Sequence, residues 1–136
     1  MDRMKLIGKF CIVLLTLTFC LHADAQSRES DVFIPIGKYI MQGNADALSA
    51  WFDDNLEIKL LSQGGDVSKS QARQIVKSFF EAQTPQGFKI THTSGRNNMK
   101  YALGALNAGG ETYSVTIFVT CKGGTYKIRE FRIERQ

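Results

Sequence analysis

Tyr113-Ser114-Val115-Thr116-Ile117-Phe118-Val119-Thr120-Cys121 alternates apolar and hydroxyl-bearing side chains along almost its whole length. A repeat of two is that of a β-strand, whose successive side chains point to opposite faces of a sheet. Tyr113, Val115, Ile117, Val119 and Cys121 therefore share one face, and Ser114, Thr116 and Thr120 share the other. Phe118 is the exception on the polar side.

The same period extends outward from this stretch. Upstream, Phe88, Ile90 and His92 alternate with Lys89, Thr91 and Thr93, and Ser94 to Asn98 reads as a turn. Met99, Tyr101, Leu103 and Ala105 then share a face of a second strand, and Asn107 to Gly110 turns the chain into the quoted one. Downstream, Gly123-Gly124 makes a tight hairpin into a last strand. There the apolar phase slips from Tyr126 and Ile128 to Phe131 and Ile133, which predicts a β-bulge near Arg129-Glu130 and a bent sheet.

Before Pro85 the pattern is helical. Ser68 and Gln71 form a capping box, and Ala72, Ile75, Val76, Phe79 and Phe80 follow on one face, with Arg73, Lys77 and Glu81 opposite. Leu56, Ile58 and Leu60 alternate with Glu57 and Lys59 as a half-buried strand, and Gly64-Gly65-Asp66 reads as a turn. Asn44 caps a short helix in which Leu48, Trp51 and Phe52 share a face, up to Asp53-Asp54-Asn55. Val32, Phe33, Ile36, Tyr39 and Ile40 form a first helix that begins near Pro35 and stops at Gly43. The expected class is α+β, in the order α-α-β-α-β-β-β-β, with three helices on a curved, mainly antiparallel sheet.

Residues 1–25 read as an export signal. Arg3, Lys5 and Lys9 precede or flank the apolar run Phe10 to Leu21, and Ala23-Asp24-Ala25 offers a small-x-small cleavage site after Ala25. The run is shorter than the roughly 20 residues of a spanning helix, so no stable membrane insertion is expected after cleavage. Leu17-Thr18-Phe19-Cys20 is set aside as a lipidation site, because bulky Phe19 precedes the cysteine. Residues 26–136 then form a single domain, exported to the periplasm or secreted. Losing Cys11 and Cys20 leaves Cys121 alone, so no internal disulfide forms, and strand phase aligns Cys121 with Val119 as a buried small residue.

Charge is uneven. Residues 26–84 carry a net of −2, whereas residues 85–136 carry a net of +5 from Lys89, Arg96, Lys100, Lys122, Lys127, Arg129, Arg132 and Arg135 against three acids. These cations fit the solvated outer positions and turns of a sheet. Export, and the lack of aromatic residues interleaved with them, exclude a nucleic-acid partner from the reading.

Several segments carry a family resemblance: Asp31-Val32-Phe33-Ile34-Pro35-Ile36, Gly43-Asn44-Ala45 through Trp51-Phe52, Asp54-Asn55-Leu56-Glu57, Ser68-Lys69-Ser70-Gln71-Ala72, Phe79-Phe80, and Met99-Lys100-Tyr101-Ala102 to Leu106-Asn107-Ala108-Gly109-Gly110-Glu111. The chain resembles the nuclear transport factor two-like cone, often grouped with cystatin-like folds. Within it, the chain is similar to a family of small exported bacterial proteins of unknown function. The resemblance implies a fold and no activity. It also implies a homodimer paired through the sheet, which the apolar and threonine outer face around Phe118 suits.

Enzymes of this fold, of the ketosteroid isomerase and scytalone dehydratase types, place acidic, histidine or tyrosine groups inside the cone. Here helical phase puts Glu81 outside, strand phase puts Glu57 opposite Leu56 and Ile58, and Asp53, Asp54, Asp66 and Glu111 fall in turns or at helix ends. Only Glu130, beside the expected bulge, is ambiguous. His92, on the Phe88 and Ile90 face, is the single catalytic candidate, with Tyr101 or Tyr113 as its partner in an isomerase- or dehydratase-like alternative. One mature histidine and one cysteine cannot supply a zinc site, no calcium-loop spacing is present, and no cofactor is implied. Trp51, Phe79, Phe80, His92, Tyr101 and Tyr113 are the candidate lining of an apolar pocket. The resulting expectation is a non-enzymatic exported domain that binds a small apolar ligand or a partner protein.

Overall fold

Residues 32–136 are described by the computed structural model, and the expected leader with its cleavage site falls outside them. Helix α1 (Phe33–Gln42) buries Phe33, Ile36, Gly37 and Ile40 along one side. Pro35 sits in its first turn, where an N–H would have no intrahelical acceptor, so the helix begins just before the proline. Gly43 ends it at φ 66°, a left-handed conformation that glycine adopts without Cβ strain. The Asn44 side chain accepts the Ala47 N–H at 3.0 Å and starts the short helix α2 (Ala45–Ser49).

Strand β1 (Phe52–Leu60) starts earlier than the helical spacing of Leu48, Trp51 and Phe52 suggests. Phe52 is a fully buried strand residue, and the pairing of β1 with the last strand shifts register between Phe52 and Glu57. Strand β2 (Gln63–Ser68) is an addition to the expected order: the turn lies at Leu61-Ser62, and Gly64 and Gly65 are strand residues at φ 136° and 143°. Helix α3 (Lys69–Ala82) carries the full capping box, with the Gln71 N–H on Ser68 Oγ at 3.3 Å and the Ser68 N–H on Gln71 Oε1 at 3.4 Å. It buries Ala72, Val76, Phe79 and Phe80.

Four long strands complete the chain: β3 (Pro85–Arg96), β4 (Met99–Ala108), β5 (Glu111–Lys122) and β6 (Thr125–Arg135). The six-stranded sheet runs β2-β1-β6-β5-β4-β3 and is antiparallel except where β1 lies parallel to β6. The expected α+β class and element order hold, with β2 added.

The helices cover one face of the sheet, and the core forms between. Its inner side chains are Ala102, Leu106 and Ala108 of β4, Tyr113, Val115, Ile117 and Val119 of β5, and Ile128, Phe131 and Ile133 of β6, each 1% exposed or less. On β6 the bulge falls at Arg129. Val119 pairs with Ile128 and Phe118 with Glu130, so the extra residue lets Ile128 and Phe131 both face inward. Strand β3 carries two further irregularities that the sequence pattern does not announce: at Gln86, where Pro85 pairs with Ala108 and Gly87 with Asn107, and at Thr91, where Ile90 pairs with Gly104 but His92 with Leu103.

Candidate functional site

The Thr91 bulge decides where His92 points. Unbroken register from Ile90 would set His92 opposite buried Ala102, whereas the inserted residue sets it opposite exposed Leu103. His92 therefore leaves the face of Phe88 and Ile90 and stands exposed on the outer side of the sheet. Tyr101 is on that side too, because Ala102, Gly104, Leu106 and Ala108 are the inward residues of β4. The His92 and Tyr101 rings lie 6.0 Å apart between centroids, tilted by 48°.

The other pocket candidates are elsewhere. Phe79, Phe80 and Tyr113 meet in the core, where Phe79 packs edge-on to Tyr113 at 5.5 Å and 76°, and to Phe80 at 6.1 Å and 62°. The Tyr113 hydroxyl donates to Glu111 Oε2 at 3.3 Å. Burial pushes its pKa up, and the Glu111 carboxylate adds to the rise. Trp51, half-buried after α2, packs on the core from outside, and its carbonyl accepts the Ile128 N–H at 2.7 Å. The six candidates thus divide into an interior trio, an outer pair and a flanking tryptophan.

The interior offers little acid-base chemistry. Among the described residues Ser49 is the buried polar one, and its hydroxyl donates to the Asp46 carbonyl at 2.7 Å. Among the described residues no cluster of three His, Cys, Asp or Glu side chains could hold a metal ion, and no helix is long and apolar enough to cross a membrane. Cys121 is half-buried opposite Tyr126, less enclosed than its phase with Val119 suggests.

The outer face holds the more organised chemistry. Pairing across all six strands aligns Asp66, Glu57, Glu130, Phe118, Tyr101 and Ser94 in one lateral row. A groove of about 410 Å³ lies along its acidic half, lined by Asn55, Leu56, Glu57, Asp66, Phe118, Arg129 and Glu130. Arg132 joins the two glutamates, with Nε against Glu130 Oε1 and Nη2 3.3 Å from Glu57 Oε1. The Glu130 carboxylate foremost, with Glu57, holds that guanidinium even further above its usual range.

The bulged Arg129 reaches across to β1. Its Nη1 lies 3.2 Å from Asp53 Oδ2 and 2.9 Å from the Asn55 carbonyl, and Lys122 Nζ stands 3.8 Å from the same carboxylate. Burial alone would raise the Asp53 pKa. The Asp54 N–H at 2.8 Å, Arg129 and Lys122 outweigh it and hold the carboxyl below the usual range. This contact ties the β6 bulge to the irregular start of β1. Glu57, Asp66, Glu130 and Arg132 are absent from the pocket candidates read from sequence; the available signal was Phe118, an apolar residue in the polar phase of β5.

Comparison with known proteins agrees with this architecture. The family described as "Domain of unknown function (DUF4783)" matches residues 33–134. The solved structure of a DUF4783 family protein from Bacteroides uniformis is similar at TM-score 0.72 and 19% identity, over 75% of this chain and 94% of that one. An NTF-2 like protein of unknown function from Silicibacter pomeroyi is similar at TM-score 0.62 and 12% identity, over 85% and 98% of the two chains. A domain of unknown function with a cystatin-like fold from Nostoc punctiforme gives 0.63 and 9%, over 82% and 76%. At these identities the likeness is one of fold. Among curated proteins none matches the chain.

Proposed function

The chain belongs to the DUF4783 family, a domain of unknown function, and we propose that it is a non-enzymatic, exported binding domain whose outer sheet face pairs with a protein, here a second copy of itself. The observation that carries the proposal is the aromatic centre of that face. Phe118 and Tyr101 stand opposite each other on β5 and β4, beside Leu103 at 38% and Met99 at 50% exposure. Apolar side chains grouped on an otherwise polar sheet surface mark a site of association.

Two further features favour this reading. The pocket candidates Phe79, Phe80 and Tyr113 are 8%, 5% and 1% exposed and pack on one another, which favours a protein over a small apolar ligand. The edge strand β3 carries Pro85, Lys89 and the Thr91 bulge, devices that discourage edge-to-edge pairing on that side of the sheet and favour the face for association. An isomerase- or dehydratase-like enzyme would need His92 and a tyrosine hydroxyl enclosed together, and His92 and Tyr101 meet on the open side of the sheet.

Export rests on the leader-like residues 1–25. Native mass spectrometry of the protein from its own host tests the whole reading. The expected species is a dimer beginning at Gln26, without a small-molecule adduct. A monomer at micromolar concentration refutes the pairing, a retained Met1 refutes cleavage after Ala25, and a retained apolar ligand refutes the preference for a protein. Phe118→Asp is expected to yield monomer with an unchanged far-UV circular dichroism spectrum.

A further inference from the structure

Along one lateral row the outer face divides into unlike halves, with Lys59 and Arg132 standing in the next row beside the carboxylates. In the lateral row that crosses the sheet, the carboxylates Asp66, Glu57 and Glu130 occupy β2, β1 and β6, while Phe118, Tyr101 and Ser94 occupy β5, β4 and β3. On β3 the outward neighbours of Ser94 are His92 and Arg96, with Lys89 further along. Strands β3 and β4 contain no acidic residue at all. Arg132 holds Glu57 and Glu130 together, whereas the side chains of Asp66 and Arg96 make no hydrogen bond or ion pair with the described residues.

Two identical sheets packed face to face are related by a two-fold axis lying between them, and that axis has two simple settings. If it runs across the strands, each strand lies over its own copy. Asp66 then meets Asp66, Glu57 meets Glu57 and Arg96 meets Arg96, which stacks like charges. If it runs along the strands, the order of one sheet reverses over the other, with β2 over β3, β1 over β4 and β6 over β5. Asp66 then faces Ser94 between His92 and Arg96, Glu57 faces Tyr101, and the Glu130–Arg132 pair covers Phe118. Every contact occurs twice in such a dimer.

We infer that the second copy seats itself in this reversed order, so that Asp66 of each copy sits between Arg96 and His92 of the other while Glu57 covers Tyr101. The inference rests on the pairing proposed above and adds its orientation. The footprint suffices: six strands span about 24 Å and ten residues about 33 Å, giving roughly 800 Å² per copy, the standard size of a stable interface. The charged contacts lie at the two lateral margins of this area, where they set register and partner orientation, while the aromatic row lies between them.

The test is charge reversal at the two positions without internal partners. Sedimentation equilibrium is carried out on the wild type, Asp66→Arg, Arg96→Glu and the double variant, with circular dichroism confirming the fold of each. Either single reversal is expected to weaken self-association about tenfold, because one substitution creates two like-charge contacts, and the double reversal restores it to within about threefold of wild type. Added salt weakens the wild-type dimer in the same sense, since marginal charges are screened over about 8 Å at physiological ionic strength. Unchanged association in both single variants overturns the reversed order and selects the like-over-like setting. Weakening that the double reversal fails to restore also overturns it. A monomeric wild type removes the pairing itself, which distinguishes failure of the earlier proposal from failure of the orientation.

Discussion

Gly104→Ala probes how tightly the inner face is filled. A Cβ at Gly104 would sit 2.7 Å from Cε1 and Cζ of Phe88 and 3.0 Å from the Lys89 carbonyl oxygen. Ordinary contact begins near 3.4 Å, so the ring would have to withdraw by roughly 0.7 Å. Its retreat is limited by α1, where Gly37 is close enough that a Cβ there would touch Phe88 Cε2 at 3.4 Å. The ring is thus held between two positions without side chains. Overpacking of this kind costs about 1–3 kcal/mol, and the reduced freedom of the unfolded chain returns about 0.4–1 kcal/mol. The net loss of about 1–2 kcal/mol corresponds to a fall in Tm of roughly 4–15 °C for a domain of this size. Phe88→Leu removes the obstructing ring carbons, and in that background Gly104→Ala is expected to be neutral or stabilising. Urea titrations of the four proteins, at one fixed protein concentration, close the double-mutant cycle. Additivity within about 0.5 kcal/mol would refute the argument, because it would mean that the methyl and the ring do not compete for the same space.

Three other perturbations have expected outcomes. Phe131→Ala removes a fully buried ring that packs 6.5 Å from Phe52 and should cost about 3–5 kcal/mol in a denaturant titration; a loss below about 1.5 kcal/mol would contradict a closed core. Ser68→Ala removes the hydroxyl that accepts the Gln71 N–H, with an expected loss of about 1 kcal/mol that Ser68→Asp should largely restore, and an equal loss in both would exclude the cap as its cause. Asp53→Asn tests the Arg129 contact through pH. The folded-state pKa of Asp53 is lowered, so its contribution is present above the unfolded value of about 4 and fades as pH falls below it. Wild type should exceed the variant in unfolding free energy at pH 7, by less than about 1 kcal/mol because the partners are partly solvated, and the gap should narrow toward pH 3. A gap independent of pH counts against the ion pair.

Most of the architecture was legible because it rests on periodicity and capping. Ser68 and Gln71 mark the start of α3, and the phase slip on β6 foretells the bulge that the pairing puts at Arg129. Strand β2 was hidden for a physical reason. Gly64 and Gly65 have the composition of a turn, but their φ values of 136° and 143° are extended conformations open to glycine, and Gly64 has no room for a Cβ beside the Ile58 carbonyl. The actual turn uses Leu61 at φ 59°, a residue that sends no turn signal. Phe52 was equally obscure, since helical spacing and a buried strand start are compatible with the same apolar pair, Trp51-Phe52.

The site was less legible because two inserted residues determine which side chains share a face. On β6, apolar residues flank Arg129 on both sides, so their phase slip announces the insertion. On β3, the residues after Thr91 are His92, Thr93 and Ser94, which carry no apolar phase to slip, and the alternation through Phe88 and Ile90 simply ran on to His92. That one uncounted residue moves the only histidine downstream of residue 25 from the helix-covered side to the open side, opposite Leu103 and near Tyr101. An acid-base residue of a cone enzyme thereby becomes part of a surface. The Arg129 insertion acts in the same direction: it leaves Ile128 and Phe131 both inside and turns Glu130 outward, into register with Glu57 on one side and Phe118 on the other. The irregularities that bend the sheet therefore also turn His92 and Glu130 away from the core and help assemble the charged and aromatic row outside it. A side chain's chemical type indicates what it can do, but in a bulged sheet the count of residues to the nearest bulge decides on which face it acts.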